Sequence, residues 1–123
     1  MFDIQIDRSR SMVTFVLKGT VTPDEMERFG NDFRRACEAV KGDEFVVKGD
    51  VRGFGPTGPE VVQQQSGAYQ NAFDLGARRF AEIVENDELA REANNLARAN
   101  GSDELLRRFA DADAAERWLQ SDG

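Results

Sequence analysis

Phe2, Ile4 and Ile6 alternate with Asp3, Gln5 and Asp7. A period of two predicts a strand with one wet face, which suits the edge of a sheet. After the polar turn Arg8-Ser9-Arg10-Ser11, the run Met12 to Leu17 is almost wholly apolar and rich in β-branched and aromatic residues. Such a run belongs to a strand covered on both faces, so the pair reads as a hairpin feeding the sheet interior, ended by Gly19. Thr22-Pro23-Asp24-Glu25 then predicts a helix start: a capping hydroxyl, a proline at the first helical position, and Glu25 placed to close a capping box. Met26, Phe29, Phe33, Cys37 and Val40 recur at helical spacing, with Gly30 beside them where the helix could approach the sheet closely; Gly42 stops the helix near Lys41.

A third strand is expected from Phe45 to Val51, followed by a Gly/Pro-rich turn from Gly53 to Pro59. A second helix then runs from Glu60 to Leu75, with Val62, Gln65, Tyr69, Ala72 and Phe73 as its core face. Arg79 to Val84 is the fourth strand. Asn86 or Asp87 caps a third helix whose stripe is Leu89, Ala93, Leu96 and Ala97, ended by Gly101. Leu105 to Phe109 is a short fifth strand, and Asp111 caps a closing helix that buries Ala115, Trp118 and Leu119. The order β-β-α-β-α-β-α-β-α predicts an α/β fold: a mixed, mostly parallel five-stranded sheet packed by about four helices. The spacings leave no room for a linker or an internal repeat, and 123 residues suit a single domain spanning 1–123.

Composition narrows the chemistry. The chain holds no histidine, so its usual general base and commonest metal ligand are missing, and a Ser-His-Asp or Cys-His site cannot form within it. Cys37 is the only cysteine, so no internal disulfide forms; its place on the apolar stripe predicts a buried thiol. The net charge of -7 repels phosphate backbones and anionic membranes, which argues against nucleic acid as a partner and favours proteins with a basic patch. Met1-Phe2-Asp3-Ile4-Gln5 lacks the basic and apolar segments of a signal peptide, and no run approaches the roughly 18 apolar residues of a membrane span. A cytoplasmic location is the expectation.

Four segments carry a resemblance to the STAS domain, named for sulfate transporters and anti-sigma factor antagonists, and within it to the SpoIIAA-like subset. Phe15-Val16-Leu17-Lys18-Gly19-Thr20-Val21-Thr22 resembles the family's second strand leading into a capped helix. Asp50-Val51-Arg52-Gly53 resembles its exit from the third strand, and Phe80-Ala81-Glu82-Ile83-Val84 its fourth strand. Phe109-Ala110-Asp111 through Ala115-Glu116-Arg117-Trp118-Leu119 resembles its closing segment. The resemblance implies a regulatory module that docks another protein; no metal cluster is visible among the residues, and neither a cofactor nor an enzymatic activity is expected. In the anti-sigma antagonist branch it also implies a phosphorylatable serine at the start of the helix after the third strand. Here that stretch, Phe54-Gly55-Pro56-Thr57-Gly58-Pro59-Glu60, holds no serine, and Thr57 is the nearest hydroxyl and the possible phosphoacceptor. An alternative use of the same architecture is a carrier of a small lipophilic ligand, with Phe29, Phe33 and Tyr69 lining an apolar cavity.

Asp50, Gly53, Phe54, Pro56 and Thr57 form the candidate docking loop, where a parallel strand exits toward a helix and ligands of open α/β sheets gather. Three readings stay open: a plain strand-to-helix turn, a docking loop anchored by Phe54, and an anion site on the backbone N–H groups of the helix start. Asp50 can accept from loop N–H groups, and Lys48, two residues away on the same strand face, could pair with it. Trp118 has the spacing to close the core.

Overall fold

The computed structural model describes residues 1–99 and 105–121. Its strands are β1 (Phe2–Asp7), β2 (Met12–Leu17), β3 (Gly19–Val21), β4 (Val46–Asp50), β5 (Phe54–Pro56), β6 (Arg79–Ile83) and β7 (Leu106–Phe109). Its helices are α1 (Pro23–Ala39), α2 (Pro59–Asp74), α3 (Asp87–Ala99) and α4 (Ala112–Gln120). Five strands make the main sheet in the order β1-β2-β4-β6-β7, with β1 antiparallel to β2 and the other pairs parallel. This is the mixed, mostly parallel α/β arrangement expected from the hydrophobic pattern. The two-stranded sheet β3-β5 is an addition: the segment expected as a turn from Gly53 to Pro59 contains a parallel strand paired with Gly19–Val21. The helix stop expected at Gly101 lies outside the described residues.

Alternation on each strand sends side chains to two different helical layers. Val13, Phe15, Leu17, Val47 and Phe80 join Met26, Phe29, Phe33 and Cys37 of α1 and Val61, Ala68, Tyr69 and Ala72 of α2 in the larger core. Met12, Val46, Ala81 and Ile83 meet Ala115 and Leu119 of α4 on the other face. Phe15 sits at the centre of an aromatic cluster, 5.0 Å from Phe29 and 5.3 Å from Phe33 edge-on, while those two stack on each other at 5.4 Å and 10°. Each fully buried Phe contributes about 1.5–3 kcal/mol relative to exposure.

The helix ends follow the sequence signals with one change. Thr22 Oγ1 accepts from the Glu25 N–H at 3.3 Å, but the Glu25 carboxylate pairs with the amino group of Met1 at 2.8 Å instead of closing a capping box. Asp111 caps α4, and Asn86, not Asp87, caps α3 through the Leu89 N–H at 2.9 Å. Arg78 and Arg79 donate to the carbonyls of Leu119 and Trp118 at the far end of α4, where cations suit the helix dipole. Trp118 packs on Phe109 with its ring centroid 5.6 Å away, and the guanidinium groups of Arg79 and Arg107 lie over its ring.

Three packing expectations are corrected. On α2 the buried valine is Val61, while Val62 is 46% exposed. On α3 the buried residues are Ala90 and Ala97, and Leu89 and Leu96 face solvent. That helix lies against the outer edge of β7, where the Asn94 amide donates to the Arg108 carbonyl at 3.0 Å and accepts from the Arg108 N–H at 2.8 Å. The side chain thus replaces a neighbouring strand and closes an edge that would otherwise offer free backbone groups. So close an approach leaves room for alanine, not leucine, underneath. Gly30 faces α2, with the nearest atom to a built Cβ being Ala68 Cβ at 3.9 Å, so it serves helix–helix contact and not the sheet.

Candidate functional site

The exit of β4 is a short, heavily pinned segment. Asp50 accepts from the Arg52 N–H at 3.1 Å and from the Arg52 guanidinium at 3.0 and 2.7 Å, closing a turn onto its own carboxylate. The side-chain hydrogen bond from Arg52 holds the Asp50 carboxyl below its ordinary value, against the opposing effect of burial. Lys48 shares the strand face but takes another partner, Glu116 of α4, at 2.7 Å. The pairing of Lys48 with Asp50 expected from their spacing is therefore corrected: each carboxylate is claimed by a nearer cation.

Gly53 has φ of 79°, a backbone that side-chain-bearing residues rarely adopt. Its N–H donates to Glu85 Oε1 at 2.6 Å, and its carbonyl accepts from the Gly19 N–H at 2.9 Å. From there β5 runs beside β3 in the register Gly19↔Phe54, Thr20↔Gly55, Val21↔Pro56. Thr57 closes the segment: both its N–H, at 3.3 Å, and its hydroxyl, at 2.9 Å, donate to the Val21 carbonyl. Gly58 then begins α2 without a side-chain cap, and Pro59 takes the first helical position.

The five expected loop residues thus lie together. Gly53, Pro56 and Thr57 are exposed with Arg52, while Asp50 and Phe54 are partly buried. Phe54 packs against the larger core and belongs partly to the scaffold, so the outward face of this ledge is Arg52, Gly53, Pro56 and Thr57.

The expected cavity lining behaves differently. Phe29 and Phe33 are almost wholly buried and stacked, with Phe15 against both, so side chains occupy the space between them. The Tyr69 ring packs 4.3 Å from that of Phe80 and closes the same core. Only its hydroxyl reaches another environment.

That environment is a groove between α2 and β7, distinct from both the loop and the apolar cavity expected from the sequence. It encloses about 590 Å³ beside Val62, Gln65, Phe73, Leu106 and Arg108. At its floor the Tyr69 hydroxyl donates to Glu82 Oε2 at 2.5 Å and accepts from Gln65 Nε2 at 2.9 Å. Arg108 Nε donates to Glu82 Oε1 at 3.1 Å across the paired strands. Burial first, and the Glu82 carboxylate second, push the Tyr69 phenol well above its ordinary value. Period two already places Glu82 on the face of Phe80, so a carboxylate at a core-facing strand position was the available signal. Among the described residues, no group of three or more His, Cys, Asp or Glu could hold a metal ion. No helix among them is long and apolar enough to cross a membrane.

No protein-family model matches the sequence, and no curated protein matches it significantly. Solved structures do match. A protein of the DUF3478 family with a SpoIIAA-like fold, from Shewanella loihica PV-4, superposes with a TM-score of 0.73 at 19% identity over 96% of this chain and 93% of that one. The Bacillus cell fate determinant SpoIIAA, in its phosphorylated form, superposes with a TM-score of 0.61 at 13% identity over 96% of this chain and 99% of that one. The element order, the mostly parallel sheet and these near-complete superpositions together show that the chain has the fold of a SpoIIAA-like, STAS-type domain.

Proposed function

We propose that this chain is a non-enzymatic regulatory module that docks another protein through the ledge formed by Arg52, Gly53, Pro56 and Thr57. The observation that carries this reading is the pinning of an exposed segment at both ends, by Gly53 to Glu85 and by Thr57 to Val21. A surface already held in one conformation loses little entropy on binding, which is how a small patch gains affinity. Asp50 holds the turn rather than the partner, and Phe54 supports the ledge from below. The acidic chain, with net charge -7, favours a partner presenting a basic patch.

Thr57 is the phosphoacceptor in this reading. Its side chain is exposed, but its hydroxyl proton is engaged with the Val21 carbonyl. Esterification would remove that donor and place a dianion beside the carbonyl, loosening β5 from β3 and altering the docking face.

Affinity capture from the source cells with Pro56→Arg tests the docking reading. Wild-type chain retains a specific protein; the variant retains at least about tenfold less, as expected for a disrupted interface centre, with an unchanged unfolding midpoint. Equal capture by both would refute the assignment of the ledge. Phe54→Ala is the poorer probe, because it removes packing from the core as well as surface.

A further inference from the structure

The groove between α2 and β7 is separate from the ledge and is built differently. Its apolar walls are Val62, Phe73, Leu105 and Leu106, and Val62 and Leu105 are each 46% exposed at the rim. Large apolar side chains left open beside a fixed polar floor are characteristic of small-molecule sites, which commonly enclose about 300–1,000 Å³. The floor is fixed from three sides. Asn94 clamps the Arg108 backbone, Glu82 holds Nε, and Tyr69 with Gln65 holds Glu82. Both oxygens of Glu82 are engaged, whereas Nη1 and Nη2 of Arg108 have no acceptor among the described residues.

We propose that this groove binds a small monocarboxylate with a short apolar body, its carboxylate on the Nη groups of Arg108 and its body along Val62 and Leu106. The planar guanidinium presents paired donors that match a carboxylate, and a partly dry setting strengthens such bonds. Glu82 already balances the charge of Arg108, so the ligand's carboxylate is held by directional hydrogen bonds to the Nη groups and not by net positive charge, which disfavours a polyphosphate. The site differs from the apolar cavity expected around Phe29 and Phe33, because its ligand is anchored by an ion pair and lies outside the packed aromatic core.

The test is an NMR titration of the full chain with 4-phenylbutyrate, hexanoate and indole-3-acetate, each against its neutral alcohol. The expected result is saturable shifts confined to amides around the groove, with at least one acid binding about tenfold or more tighter than its alcohol, the range of a charge-assisted pair. Val62→Asp, at an exposed position, should weaken that acid by a similar factor while the unfolding midpoint stays in place. Arg108→Lys, which keeps the charge but not the fork, should also weaken it. The proposal is overturned if no acid gives saturable shifts, if acids and alcohols bind alike, if the shifts map elsewhere, or if Val62→Asp binds as the wild type does.

Discussion

Phe15 on β2 stands directly opposite Gly49 on β4, and its ring covers the glycine α-carbon. A Cβ built on Gly49 would lie 2.5 Å from Cε2 of that ring and closer still to Cζ. The glycine is therefore the space in which the central ring of the aromatic cluster sits. It is required by packing and not by backbone conformation.

Gly49→Ala should accordingly destabilise the fold by about 1–3 kcal/mol or more, the usual penalty of overpacking. Urea unfolding followed by fluorescence would show it as a lowered midpoint. Phe15→Leu in the same background should recover part of the loss, since a smaller side chain can yield to the new methyl. A neutral Gly49→Ala would mean that the ring does not lie where described.

Tyr69 is the only tyrosine, so its titration is read directly from phenolate absorbance. Burial and the neighbouring Glu82 raise its folded-state pKa well above 10.0. The unfolded chain then ionises first: stability is full below the unfolded value of about 10 and declines as pH rises beyond it. The folded protein should show no phenolate signal at pH values where a denatured sample already shows it. Titration of the native protein near the ordinary value would contradict the buried Tyr69–Glu82 bond.

Cys37 offers a similar check on the other helix. It is fully buried on α1, and burial, with a smaller effect from Glu38, pushes its thiol up to about 12. Native protein should resist a disulfide reagent at neutral pH, with modification following global unfolding. Rapid labelling under native conditions would mean that α1 opens without the rest.

Much of the fold was legible because its signals are local and redundant. The hairpin of Phe2–Asp7 with Met12–Leu17, the Thr22-Pro23 start of α1 and the Asp111 cap of α4 each combine hydrophobic period with end chemistry. What failed in part was the rotational phase of α2 and α3, where most of the buried residues are small. Val61 and Val62 are adjacent and equally apolar; the inward one, Val61, shares its face with Tyr69 and Ala72, which were expected there, and with Ala68, which was not. On α3 the leucines attract attention, but contact with the β7 edge buries Ala90 beside Ala97, and of these two the expected stripe held only Ala97.

The candidate site was half legible for a related reason. Gly53, Pro56 and Thr57 announced themselves as turn residues, yet the pairing of Phe54–Pro56 with Gly19–Val21 joins two three-residue strands, too short to show a period. The groove floor joins residues from α2, β6 and β7, and its charge pair is recognisable only once Glu82 and Arg108 are known to be neighbours in the sheet.

The docking role of the ledge is tested most directly by site-specific photo-cross-linking in the source cells, with a benzophenone side chain placed at position 56 or 57 and, as control, at Arg117 on α4. The ledge positions should each yield a discrete adduct with the same protein, absent from the control. No discrete adduct at the ledge, or the same adduct from position 117, would contradict the docking role.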